Sequence, residues 1–114
     1  MEENGGYKLL LPSSLLEYFT ITKVEENQKE IIIYLEEKNN LQEEAPDIKI
    51  ESKGFVPSVL VNDFPIRSRR LLLDIRRRRW INKETGEYIH RDLSIVADGT
   101  RMTQDLATFL KGLH

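Results

Sequence analysis

IRSRRLLLDIRRRRW, residues 66–80, sets seven arginines around a short apolar core and ends on the only tryptophan of the chain. With the period of two that a strand imposes, Leu71, Leu73 and Ile75 share one side. Arg70, Asp74, Arg76, Arg78 and Trp80 share the other, together with Leu72. The stretch is therefore expected to be a strand with a buried middle and two basic ends. Four consecutive arginines, Arg76 to Arg79, repel one another and resist burial. A partner outside the chain is expected to meet them.

On the C-terminal side, INKETGE (81–87) is a polar turn containing Gly86. Residues 88–95 are expected to return as the antiparallel partner of 72–80, closing a basic hairpin over about 66–95. Ala97-Asp98-Gly99 marks a second turn, after which Thr100 or Thr103 is expected to cap a helix over about 101–113. Met102, Leu106, Phe109, Leu110 and Leu113 supply its apolar stripe. On the N-terminal side, residues 57–64 contain a strand around Val59, Leu60 and Val61, and Ile48 to Ser52 form a short strand ended by Gly54. The charged segment KNNLQEEAPDI (38–48) reads as a mobile loop. Residues 20–24 and 30–37 read as two strands joined by EENQK, the second apolar on both faces and so central. Before them, LLEYF follows Ser13 and Ser14, either of which could cap a short helix. Residues 1–6 are expected to be a disordered lead-in, and residues 7–114 a single domain. The expected class is α+β: a small domain rich in antiparallel hairpins, with a short N-terminal helix and a C-terminal helix.

Composition narrows the function. The apolar share is 39% and the charged share 32%, and no apolar run is long enough for a membrane span. No signal peptide is recognisable, so the expected location is cytoplasmic. The absence of cysteine excludes disulfides and thiolate zinc sites. Residues 1–54 hold 6 Lys and Arg against 12 Asp and Glu, a net −6, whereas residues 55–114 hold 11 against 7, a net +4. Such opposition points to nucleic acid or to an acidic surface, and a pI near 5.7 confines any basic contact to one face.

The candidate contact residues are Arg67, Arg69, Arg70, Arg76, Arg77, Arg78, Arg79, Lys83 and Arg91, opposed within the same 25 positions only by Asp74, Glu84 and Glu87. Guanidinium groups match phosphate oxygens in geometry and stay charged. Trp80, Tyr88 and His90 interleave aromatic surface of the kind that stacks on bases. Alternatively, the arginines pair with the acidic half, through Glu25, Glu26, Glu36, Glu37, Glu43 and Glu44, and Trp80 belongs to the core. Changing Arg77 and Arg79 to Glu is expected to abolish DNA binding and leave the fold intact. No glycine-rich phosphate loop and no H-E-x-x-H motif is present, so no catalytic residue, cofactor or small-molecule substrate is expected.

The order VNDFPI, RRLLLDIRRRRW, NKETG and TRMTQDLATFL over residues 61–110 resembles the N-terminal domain of ISL-type insertion-sequence transposases. The similarity is to the branch in which this region lacks cysteines and can be a separate protein. LLPSSLLEYFTITKVEENQKEIIIYLEEK fits the same branch. The resemblance implies a zinc-ribbon-like module in which a basic strand runs into a C-x-x-C-G knuckle. Asn82 and Thr85 stand at the two cysteine positions before Gly86, and no cysteine pair lies upstream, so the metal is expected to be lost. It also implies transposon-end DNA as a partner and a role in transposition without the catalytic strand-transfer region. The catalytic transposase subunit is the alternative partner, through docking or self-association.

Overall fold

The computed structural model describes residues 5–96 and 100–113. Within them the α+β expectation holds, with seven strands in two sheets and three helices. A 3-10 helix (Gly5–Leu10) leads into α1 (Ser13–Tyr18). The strands β1 (Phe19–Glu26) and β2 (Glu30–Glu37) follow, and then a single helical turn, α2 (Leu41–Glu44). Next come β3 (Ile50–Phe55), β4 (Val59–Ile66), β5 (Arg69–Arg76), β6 (Arg78–Asn82) and the two-residue β7 (Tyr88–Ile89). The C-terminal helix is α3 (Gln104–Lys111). The expected lead-in at 1–6 lies outside the described residues except for Gly5 and Gly6, which open the 3-10 helix. The expected turn at 97–99 lies outside them altogether.

The larger sheet has the order β1-β2-β5-β4, and the smaller β3-β6-β7. Periodicity places the apolar residues correctly: Ile31, Ile33, Leu35, Leu71, Leu73, Ile75 and Val61 form one buried face. Leu11, Leu15 and Phe19 cap that face, and Leu93, Ile95 and Val96 pack at its margin. Each such side chain contributes about 1.5–3 kcal/mol by leaving water.

The partners of β5 differ from expectation. It pairs antiparallel with β4 and parallel with β2, in a register that sets Glu30 beside Arg70, Ile33 beside Leu73 and Glu36 beside Arg76. Residues 88–95 do not return along 72–80. Only Trp80↔Ile89 and Ile81↔Tyr88 pair, and they do so in the other sheet. The reason lies at Arg77, where the chain leaves one sheet for the other and the alternation of β5 stops. The β3–β4 connection makes the reverse passage beside it, with the Val56 amide donating to the Arg77 carbonyl at 2.9 Å.

The helix ends show side chains diverted to other duties. Neither Ser13 nor Ser14 caps α1: Pro12 occupies the cap, and its carbonyl accepts from the Leu15 amide at 3.0 Å. The segment expected as an irregular loop contains α2, and Gln42 ties its exit. The Gln42 amide donates to the carbonyls of Ala45 at 3.0 Å and Ile48 at 2.6 Å, and its oxygen accepts from Ile50 N at 3.0 Å. Thr103 caps α3 as one of the two expected candidates, its hydroxyl oxygen accepting from Leu106 N at 3.3 Å. The same hydroxyl donates to the buried carboxylate of Asp63 at 2.8 Å, fastening the helix to β4. Met102 lies before the helix and forms a bridge with Asn62. In the β4–β5 turn Arg67 has φ 56°, a left-handed conformation that costs a non-glycine residue about 1–2 kcal/mol.

If this sheet face is the core, Leu73→Ala should lower the unfolding free energy in a urea titration by about 2–5 kcal/mol. Leu9→Ala, at a side chain 89% exposed, should change it by no more than about 0.5 kcal/mol.

Candidate nucleic-acid interface

The arginine stretch separates into three groups according to the element that carries each residue. On the face of β5 turned away from the core, the parallel register alone places opposite charges side by side. Arg76 reaches Glu36 at 3.2 Å, and Arg70 lies 3.9 Å from Glu30. At the start of the strand Arg69 is ion-paired with Glu26, which also accepts from the Tyr7 hydroxyl. The Tyr7 hydroxyl bond, followed by the Arg69 guanidinium, holds the Glu26 carboxyl below the usual carboxylate range.

At the passage between the sheets the arginines turn inward onto Glu37. Alternation along β2 puts Glu37 on the side of Ile31, Ile33 and Leu35, and its side chain is fully buried. One carboxylate oxygen accepts from Arg77 Nε at 3.0 Å and from the Arg78 amide at 2.9 Å; the other accepts from Arg91 at 3.3 Å. Arg77 spends its remaining nitrogens on the carbonyls of Leu93, at 3.2 Å, and Arg91, at 2.6 Å. Arg91 also donates to Asn40, which therefore does not cap α2, and its Nε lies 3.4 Å from Glu44. With Glu37 and Glu44 facing Arg77 and Arg91, the formal charges of the cluster cancel. Arg78 donates to the Glu37 carbonyl at 3.1 Å and to Ser52 at 2.9 Å. The guanidinium groups of Arg76 and Arg78 both lie 4.4 Å from the centre of the Phe55 ring.

Two expected contact residues are thereby corrected. Trp80 is fully buried, its indole N–H donating to Asn39 at 2.9 Å, so it has no face to offer a base. Arg91 is 5% exposed and lies over Trp80 and Tyr18. Within the four-arginine run Arg77 and Arg78 are half-buried on internal partners, whereas Arg76 pairs with Glu36 and stays exposed. Repulsion among them is relieved by Glu36, Glu37 and the Phe55 ring. Glu36 and Glu37 were both among the candidate internal partners, whereas Glu25 binds Lys23 and Tyr34 instead. Phe55, Asn39 and Asn40 carry no signal in a one-dimensional pattern. The role of Glu37 could have been found from its phase with Ile33 and Leu35.

What remains at the surface is a smaller set. Arg79 is exposed, lies 5.4 Å above the Tyr88 ring and makes no ion pair among the described residues. Tyr88 is itself 69% exposed. Together with Val56, Arg77, Arg78, Ile89 and His90 they line a groove of about 260 Å³. Lys83 is exposed in the adjoining turn. Arg67 is exposed at the β4–β5 turn, also with no ion pair among the described residues.

Asn82 and Thr85, where the resemblance places cysteines, act as turn formers. The Asn82 side-chain oxygen accepts from the Glu84 amide at 2.9 Å and the Thr85 amide at 3.4 Å, and the Thr85 hydroxyl accepts from Glu87 N at 3.2 Å. Gly86 takes φ 75° and donates to the Asn82 carbonyl at 2.7 Å. Their oxygens are occupied and are not the thiolate or imidazole donors of a structural zinc site, so the pair does not fit one. Compared with protein-family models, curated proteins and solved structures, the chain matches none of them.

If Glu37 is the link between the sheets, Glu37→Ala leaves the buried Arg91 and half-buried Arg77 guanidinium groups without their shared carboxylate and should cost about 3–5 kcal/mol in chemical denaturation. Glu36→Ala, which breaks a solvent-exposed pair, should cost no more than about 1 kcal/mol.

Proposed function

We propose that this chain is the DNA-binding or accessory N-terminal module of an insertion-sequence transposase and recognises transposon-end DNA. The observation that carries the reading is a division of labour within residues 66–80. Internal partners take Arg69, Arg76, Arg77 and Arg78, Arg70 lies 3.9 Å from Glu30 and stays exposed, and Arg67 and Arg79 are exposed with no ion pair among the described residues. Arg79 on Tyr88 pairs a phosphate-binding group with a stacking surface, the combination that nucleic-acid grooves use. Lys83 and Arg70, whose side chain is 66% exposed, add charge for phosphate contacts. The zinc-ribbon-like part of the reading is the antiparallel sheet β3-β6-β7 with its Asn82–Gly86 turn. Backbone hydrogen bonds accepted by the Asn82 and Thr85 side chains there would stand in for the metal.

This division changes which substitutions isolate binding from folding. Arg79→Glu should abolish the mobility shift of a transposon-end duplex while the circular dichroism spectrum and melting temperature stay those of the wild type. Arg77→Glu should unfold the protein, because it sets a second carboxylate against buried Glu37. An unaltered shift with Arg79→Glu would remove the second sheet from the interface.

A second reading, docking on the catalytic transposase subunit or on a second copy, rests on a different patch. Phe64 on β4 meets Phe109 on α3 edge to face at 5.5 Å, and both stay partly exposed beside Leu110 and Leu113. It predicts DNA-independent co-elution with the catalytic subunit or a dimer in size-exclusion chromatography, and loss of either with Phe109→Asp. A monomer that ignores the catalytic subunit would eliminate it.

A further inference from the structure

The β4–β5 hairpin ends in a two-residue turn, Arg67-Ser68, closed by the pairing of Ile66 with Arg69. Arg67 adopts φ 56° there, a conformation that glycine or asparagine would hold with less strain. Its side chain is exposed and has no ion pair or hydrogen bond among the described residues, so no internal contact compensates for the strain. An arginine held at conformational cost and without an internal partner points to an external one.

The surroundings narrow the partner. Because β2 and β5 run parallel, both strands begin at the same end of the sheet, and the Arg70 amide donates to the Lys29 carbonyl at 2.9 Å. The β1–β2 turn is thus brought beside the hairpin and is ordered by Asn27, whose side chain accepts from Lys29 N at 2.8 Å and Glu30 N at 2.9 Å. An open groove of about 530 Å³ runs along it, lined by Asn27, Gln28, Lys29, Glu30 and Arg70. Residues 26–30 and 67–70 together carry Lys29, Arg67, Arg69 and Arg70 against Glu26 and Glu30, a local net of +2 in a chain whose net charge is −2. Arg69 is engaged by Glu26, and Arg70 is held by Glu30 at 3.9 Å and Asn62 at 3.4 Å, leaving a free guanidinium at the tip with Arg70 and then Lys29 on its β2 side.

We propose that this end of the larger sheet binds duplex DNA as a wing, with Arg67 entering the minor groove and Arg70 and Lys29 contacting successive phosphates on the β2 side of the tip. A two-residue hairpin turn is narrow, and a narrow minor groove concentrates the negative potential that draws in arginine. The inference rests on the DNA-binding reading above and assigns its groove contact to a surface other than the Arg79–Tyr88 platform.

Arg67→Gly tests it, because folding and binding should move in opposite directions. The melting temperature should rise as the left-handed strain is relieved. Affinity for an end-containing duplex, measured by fluorescence anisotropy, should fall roughly tenfold, with the larger loss on an A·T-rich site. Lys29→Ala should reduce the slope of log affinity against log salt by about 0.9. Wild-type protein that binds no duplex would overturn the DNA-binding reading itself. Wild-type protein that binds while Arg67→Gly binds equally well would overturn the wing alone. A lowered melting temperature for Arg67→Gly would show that the residue is not held at a cost, and equal affinity for a single strand would rule out groove insertion.

Discussion

The buried carboxylate of Glu37 is the interaction on which the other contacts depend. It sits at the end of β2, where the chain passes from the larger sheet to the smaller one, and its two oxygens take three donors. Arg77 and the Arg78 amide come from the second such passage, between β5 and β6, and Arg91 from the segment beyond β7. A carboxylate in that position would be costly without full hydrogen bonding, and the guanidinium groups would be equally costly without it. The two sheets are therefore joined by a polar cluster whose members depend on one another. Asn39, Asn40 and Trp80 complete the cluster.

The same logic accounts for the charge asymmetry of the chain. An acidic first half and a basic second half look like a surface awaiting a partner, yet the parallel pairing of β2 with β5 interleaves them. Glu30 meets Arg70, Glu36 meets Arg76, and Glu26 holds Arg69. Pairs this exposed add little stability individually. Their effect is to balance the charge of Arg69, Arg70 and Arg76 and leave Arg67 and Arg79, at two separated places, without an ion pair among the described residues. A basic stretch thus becomes two localised contacts, each with distinct surroundings: a hairpin tip beside Lys29, and an aromatic ring under Arg79.

Carboxamide side chains perform the local bracing. Gln42 bridges three backbone groups after α2, and Asn82 orders the turn after β6. The Lys83 amide then donates to the Lys49 carbonyl at 2.8 Å, tying the two braced segments together. Amide groups that supply both donors and acceptors can satisfy a turn's backbone without a metal.

Properties that depend on near neighbours in the chain were legible in the sequence. The bounds of β2, the alternation of Leu71, Leu73 and Ile75, and the Thr103 cap each follow from spacing within a few residues. The partner of β5 was not, because a strand's period says which face is buried but not which strand lies beside it. The hairpin expected between 72–80 and 88–95 assumed that sequence neighbours pair, and the break at Arg77 prevents it. The candidate site divides in the same way. Residue type and clustering were enough to mark the arginines as the chemistry of the chain. Which of them are spent internally was decided by tertiary structure alone, because burial and register bring Glu26, Glu36, Glu37 and Phe55 from positions more than 20 residues away.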